Sequence, residues 1–215
     1  MEPIIQQVYS CVLTGNQKEV VQKIKKAIQL GFSPVLIMND GMISAMTEVG
    51  LLFEKGEYFV PEMLVAARAM QAGMHVLKPY LSVVDVYPAG KLVIGTVKGD
   101  FHDIGKNLVK MMLEGSGFEV IDLGVDVDPE TFLSKLVDPG VKIIAMSALI
   151  TTTMEAMQSV ISMIENSGTR QQVKVIVGGA PLTEEYARRI GADGYAPDAS
   201  RAVKLAKSLL NKNST

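Results

Sequence analysis

What this chain has little of excludes several chemistries. Its one cysteine, Cys11, cannot close an internal disulfide among 215 residues, which fits a reducing cytoplasm. Lys and Arg (21) do not outnumber Asp and Glu (23), so the basic footprint of a phosphate-neutralising protein is missing and nucleic acid is not expected as a partner. There is no run of about 18 uninterrupted apolar residues. The N-terminus MEPIIQQVYS lacks both the positive region and the apolar segment of a secretory signal. A soluble protein with no membrane partner is therefore expected. The remaining composition, 48% hydrophobic and 20% charged, is that of a packed globular protein with one large domain or two small ones.

Two periodicities divide the sequence. From Glu2 to about Leu81 apolar residues recur at helical spacing, as in VVQKIKKAIQL, where Val20, Ile24, Ile28 and Leu30 fall on or near one face. Breaks at Thr14–Asn16, Gly31–Pro34 and Lys55–Pro61 predict a bundle of four helices. Met38, Met42, Met46 and Met70 lie at helical spacing as core filler, Cys11 reads as a small core hydrophobe, and His75 is given a structural or partner-contact role. Val83 to Lys91, with proline and glycine, is the expected linker and hinge, giving a helical domain over residues 1–86 and a second domain over 87–215. In the second domain the β-branched runs KLVIGTV, FEVIDLG, VKIIAMSA and VKVIVGG alternate with helical stretches, and DGYAPD is a weak fifth strand. Such an alternation predicts an α/β fold with a flavodoxin-like, five-stranded parallel sheet whose ligands bind beyond the C-terminal strand ends.

Three loops fall at that edge. The first lies in GTVKGDFHDIGKNLV, with His102 between Asp100 and Asp103. Imidazole is a common metal ligand whose other ring nitrogen is usually held by a carboxylate, and Asp100 stands two residues away to do so. Equally, His102 could be bonded to its own turn while Asp100 or Asp103 caps the next helix. One histidine is too few for a zinc site, and no Cys/His/carboxylate cluster supplies the rest. A metal here must arrive with most of its coordination filled by a macrocycle, which points to a tetrapyrrole. The second loop, SALITTTM, offers Ser147 and the hydroxyls of Thr151, Thr152 and Thr153; Thr151 or Thr152 could simply cap the next helix. The third, VGGAPLT, has Gly178 and Gly179, suited either to a tight turn or to close approach of a ligand.

Taken in order, G-D-x-H-D-I-G-K-N, S-A-L-I-T-T and V-G-G-A resemble the cobalamin-binding domain of methionine synthase and its relatives. The stretch MTEVGLLFEKGEYFVPEMLVAARAMQAGMHVLKP is similar to the helical cap preceding that domain. The whole chain resembles the small corrinoid proteins of methanol, methylamine, betaine and aryl methyl ether metabolism. The resemblance implies a cobalamin or related corrinoid, carrying methyl on cobalt, with His102 as lower cobalt ligand in place of the cofactor's own base. Asp100 would accept the other ring N–H and raise the histidine's basicity, and Ser147 would extend the hydrogen-bonded chain. Since methyl-Co(III) favours six coordination and Co(I) does not, ligation by His102 would follow the methylation state. Gly99, Asp103, Ile104 and Gly105 match the first motif, with Gly105 leaving room for the nucleotide tail. Leu149, Thr151, Thr152, Gly178, Gly179 and Ala180 would line its slot, and Tyr195 its far wall. Tyr58, Phe59, Val60 and Met63 would cover the corrin, though bundle core is an equal reading for each.

By the same resemblance the protein would not be a complete enzyme. It would be a cytoplasmic methyl carrier loaded by a substrate-specific corrinoid methyltransferase and unloaded by a second one using tetrahydrofolate or a thiol, with a reductive activase as a further partner. The cobalamin subunit of an adenosylcobalamin mutase and a cobalamin-based sensor share the sheet. The helical half speaks against the first, and the lack of an output module against the second. A phosphoreceiver or flavin protein is disfavoured by the serine where a receiver needs an aspartate and by the missing hydroxyl-rich phosphate cradle.

Overall fold

The helical periodicity of the first half becomes four helices in the computed structural model, which describes residues 2–81 and 89–211. They are α1 (Pro3–Leu13), α2 (Gln17–Gln29), α3 (Pro34–Glu54) and α4 (Val60–Leu77). Starts are set locally. Pro3 and Pro34 occupy first-turn positions where a missing N–H costs nothing, and the Asn16 side chain accepts the Glu19 N–H at 3.2 Å. Val20, Ile24 and Ala27 of α2 are buried, but Leu30, just past its end, is 60% exposed: the helix stops before its stripe can carry Leu30 inward. Met38, Met42, Met46 and Met70 are buried, as is Cys11, while His75 is exposed. Between Ile37 and Ile43 α3 winds as a π-helix, with Gly41 close enough to Val8 that a Cβ there would lie 3.0 Å from its Cγ1. By length and hydropathy α3 is apolar enough to cross a membrane, yet Ile37, Met38, Met42, Ala45, Met46 and Val49 are all buried, as in the core helix of a bundle.

Backbone contacts divide the chain into two compact units, Met1–Pro88 with Glu114–Gly117 and Ala89–Leu113 with Phe118–Thr215. Of the expected hinge Val83 to Lys91, residues 83–88 lie outside the described residues; Gly90 and Lys91 open the first strand.

That strand, β1 (Gly90–Thr96), is followed by α5 (Ile104–Gly115), β2 (Phe118–Asp122), α6 (Pro129–Ser134), β3 (Val141–Ser147), α7 (Met154–Asn166), β4 (Lys174–Gly178), α8 (Glu184–Arg189), β5 (Gly194–Tyr195) and α9 (Ala199–Asn211). The five strands form one parallel sheet in the order β2-β1-β3-β4-β5. Strands β1, β3 and β4 read as continuous apolar runs because both faces are covered. Register sets the edge: Thr96 pairs with Ser147, and Ser147 with Gly178, so the three motif loops leave the sheet at one level.

Candidate functional site

The β1–α5 loop is built around Asp100, whose side chain is wholly buried. Its Oδ1 accepts the His102 backbone N–H at 3.0 Å and lies 2.7 Å from His102 Nδ1. Its Oδ2 accepts the Leu149 N–H at 2.7 Å and the Thr153 hydroxyl at 2.9 Å, so one carboxylate ties the loop after β1 to the loop after β3. Burial alone would raise the Asp100 pKa. The donors from Leu149, His102 and Thr153 outweigh it and hold the carboxyl well below the usual carboxylate range. An ionised carboxylate only accepts, so His102 Nδ1 bears the proton. In the neutral ring Nε2 then carries the lone pair, on a side chain 53% exposed. Thr96 Oγ1 donates to the His102 carbonyl at 3.0 Å and fixes the loop from beneath.

Exposed apolar side chains flank this imidazole: Phe101 and Ile104 on its own loop, Leu149 and Ile150 on the loop bonded to Asp100. Among the described residues no group of three His, Cys or carboxylate side chains could hold a metal ion. An imidazole nitrogen with no hydrogen-bond partner among the described residues, amid exposed apolar surface, suits a large, flat, mostly apolar group that brings its own metal.

Several residues fall elsewhere than expected. Ser147 ends β3, and the hydroxyl that reaches Asp100 is that of Thr153. Thr151 and Thr152 do not cap α7; they are exposed members of the 3-10 turn Thr151–Thr153 that swings Thr153 inward. Asp103 accepts Asn107 Nδ2 at 2.9 Å in the first turn of α5. Gly99 adopts φ +81°, and its N–H donates to Asp126 Oδ1 at 2.9 Å. Gly178 and Gly179 are required by the chain's own packing. A Cβ on Gly178 would lie 2.8 Å from the Ala196 carbonyl oxygen, and one on Gly179, at φ +135°, would run into the Ala148 carbonyl. Gly105 differs, since a Cβ there would meet nothing. Ala180 is exposed, and Tyr195 is half-buried against the sheet's apolar core.

Of the four residues assigned to cover a cofactor, Met63 is buried in the helical unit's own core. The Tyr58 hydroxyl donates to the Leu13 carbonyl at 3.3 Å. Both are occupied by bundle packing. Phe59 and Val60, at the start of α4, are exposed.

The sequence places Thr153 at this edge only as one of three threonine hydroxyls, and it assigns no role to Lys106, Asp122 or Asp126. Lys106 is buried and paired with Asp122 at 2.7 Å. Asp126, with φ +53°, donates its N–H to the Asp100 carbonyl at 2.9 Å. The available signal for the first pair was a lysine on the buried side of an amphipathic helix four residues after His102.

Comparison with known proteins agrees with this geometry. Residues 90–204 match the B12 binding domain, and residues 4–78 match a second B12 binding domain model. The chain is 41% identical to dimethylamine corrinoid protein 1 of Methanosarcina mazei over 97% of each chain. It is 39% identical to trimethylamine corrinoid protein 1 of Methanosarcina acetivorans, covering 97% of this chain and 98% of that one. Among solved structures, a chain of the methanol:cobalamin methyltransferase complex of Methanosarcina barkeri superposes with a TM-score of 0.88 at 28% identity, covering 98% of this chain and 80% of that one.

Proposed function

The chain belongs to the B12-binding corrinoid proteins, its cofactor is a corrinoid, and from that premise we propose that it is a methyl carrier in which His102 Nε2 is the lower cobalt ligand. The observation behind this reading is the His102–Asp100 pair: Nδ1 is committed to a buried, ionised carboxylate at 2.7 Å, and Nε2 is the nitrogen left to offer. When bound, the corrinoid supplies a cobalt that takes up and gives back a methyl group.

The chain's own residues do the rest. Asp100 keeps the Nδ1–H tautomer and aims the ring; Thr153 and the Leu149 N–H hold Asp100 in turn. Phe101, Ile104, Leu149 and Ile150 give the macrocycle an apolar seat and keep water from it. Gly105, with open space at its Cβ position, leaves passage for the nucleotide tail at the start of α5.

As a carrier the protein serves one methyltransferase that loads it and another that unloads it onto tetrahydrofolate or a thiol. Relatives of nearly equal identity are named for dimethylamine and for trimethylamine, which supports a methylamine donor whose exact identity is chosen by the loading partner. The complex from Methanosarcina barkeri supports such a partner.

The test is reconstitution with hydroxocobalamin, comparing wild type with His102→Ala. A tightly held, stoichiometric corrinoid whose absorption spectrum shifts to the base-off, histidine-free form in the variant is expected. Identical spectra for the two proteins would remove His102 from the metal.

A further inference from the structure

Every residue from Phe101 to Gly105 is exposed, and the run is closed at each end by a buried charge, Asp100 before it and Lys106 after it. Asp100 belongs to the site described above; Lys106 has no role there. Its ammonium lies 2.7 Å from Asp122 Oδ1 at the end of β2 and donates at 2.7 Å to Asn107 Oδ1. Asn107 Nδ2 donates at 2.9 Å to Asp103 Oδ2, on the residue that follows His102. Asp122 is held as well by Lys110 Nζ at 3.2 Å and by the Gly124 N–H at 2.9 Å. Burial works to raise the Asp122 pKa, but Lys106, Gly124 and Lys110 outweigh it and keep the carboxylate ionised.

A buried ion pair is weak grounds for stability, since desolvating both charges offsets most of their attraction and apolar side chains of similar volume commonly do as well. What charged hydrogen bonds add is direction and fixed length. Apolar packing cannot supply that at the start of α5. Ile104 is 84% exposed, Phe101 is 69% exposed, and nothing faces the Cβ position of Gly105. The first side chain after Asp100 to be anchored in the interior is that of Lys106.

We infer that Lys106, clamped by Asp122, is a positioning residue for His102: it fixes the first turn of α5 and with it the direction in which Nε2 is presented. Asp100 sets the ring relative to its loop, and the Lys106–Asp122 pair sets the loop relative to the sheet. The inference rests on the reading of His102 as cobalt ligand, and its test separates the two.

The probe is cobinamide, a corrinoid with no lower base of its own, bound to the full chain and reduced to cobalt(II). Any nitrogen splitting of the electron paramagnetic resonance lines then comes from a protein nitrogen. Wild type is expected to show the splitting and His102→Ala to lose it. The charge-free double variant Lys106→Met/Asp122→Leu is expected to unfold cooperatively in urea, as wild type does, while losing most of the split signal and about tenfold in cobinamide affinity. Asp122→Asn, which keeps the side chain's shape, should lower the split fraction in the same direction, whereas Lys106→Arg, which keeps the charge, should retain most of the wild-type splitting. Wild-type splitting and affinity in both Asp122 variants would overturn the inference and leave His102 as ligand. Absence of splitting in wild type would overturn the ligand reading and the inference with it.

Discussion

Thr153 Oγ1 stands 2.9 Å from Asp100 Oδ2 across 53 residues of sequence, and this contact joins the loop after β1 to the loop after β3. Removing the hydroxyl leaves a buried carboxylate short of one donor. Thr153→Val should cost about 1.5–3 kcal/mol in urea unfolding, the range for a hydrogen bond to a charged group, and Thr153→Ser should recover most of it. Ser147→Ala should stay within about 0.5 kcal/mol and leave corrinoid retention unchanged.

Asp100 links stability to acid. Its folded pKa is depressed, so its contribution is fully present above the unfolded carboxylate value of about 3.9 and is lost as pH falls through the lower folded value. Wild-type stability should gain nothing from this group between pH 7 and pH 5, as measured by urea midpoints at each pH. Asp100→Asn should be less stable at neutral pH, and its deficit should shrink below about pH 4. A deficit unchanged down to strong acid would show that the ionised form is not the stabilising one.

Two glycines of the site should behave oppositely. Gly105 is in the first turn of α5 with open space around it, so Gly105→Ala should leave thermal stability unchanged or raise it by up to about 1 kcal/mol. It should nevertheless weaken the hold on cobalamin more than the hold on cobinamide, which has no nucleotide tail. Gly179→Ala places a Cβ on the Ala148 carbonyl in a backbone region that L-residues rarely adopt, and should destabilise the fold before any ligand is added.

In the helical unit, Met63→Ala should cost about 2–5 kcal/mol, as expected for truncation of a fully buried side chain. Phe59→Ala should stay within about 0.5 kcal/mol, because its ring is mostly solvent-exposed. Equal and small effects of the two would return Met63 to the surface.

What could be read from the sequence were the features with short-range causes. Apolar periodicity located four helices and five strands, since it depends on which face each element buries. The Asp100–His102 pair was legible because a two-residue spacing lets the carboxylate reach both the ring and the backbone N–H. Thr153 was not, because three threonines follow one another and only the 3-10 turn decides which points inward. Nor could the sequence separate Met63 from Phe59, four residues apart, since helical spacing would put both on one face, whereas Phe59 is the extended N-cap residue before α4 and only Met63 lies within the helix. Gly178 and Gly179 read from sequence as either a tight turn or room for a ligand, and the sequence could not show that the atoms nearest their Cβ positions are main-chain atoms of loops distant in sequence. Lys106, on α5, drew no role from the sequence because its partner Asp122 sits at the end of β2, sixteen residues away.

The π-helical stretch Ile37–Ile43 spaces its residues more widely per turn than the α-helical remainder of α3. A π-turn closes its hydrogen bond over one more residue than an α-turn, so α3 accommodates extra chain without surrendering the pattern of buried residues on either side of it. Met38 and Met42 within the stretch and Met46 beyond it all remain inside the bundle. An insertion in an ordinary helix would turn everything downstream by about 100° and bring charged residues inward. A widened turn of this kind would confine the effect of one added or removed residue to a few positions, so the bundle is expected to tolerate a single-residue change of length here better than elsewhere in α3.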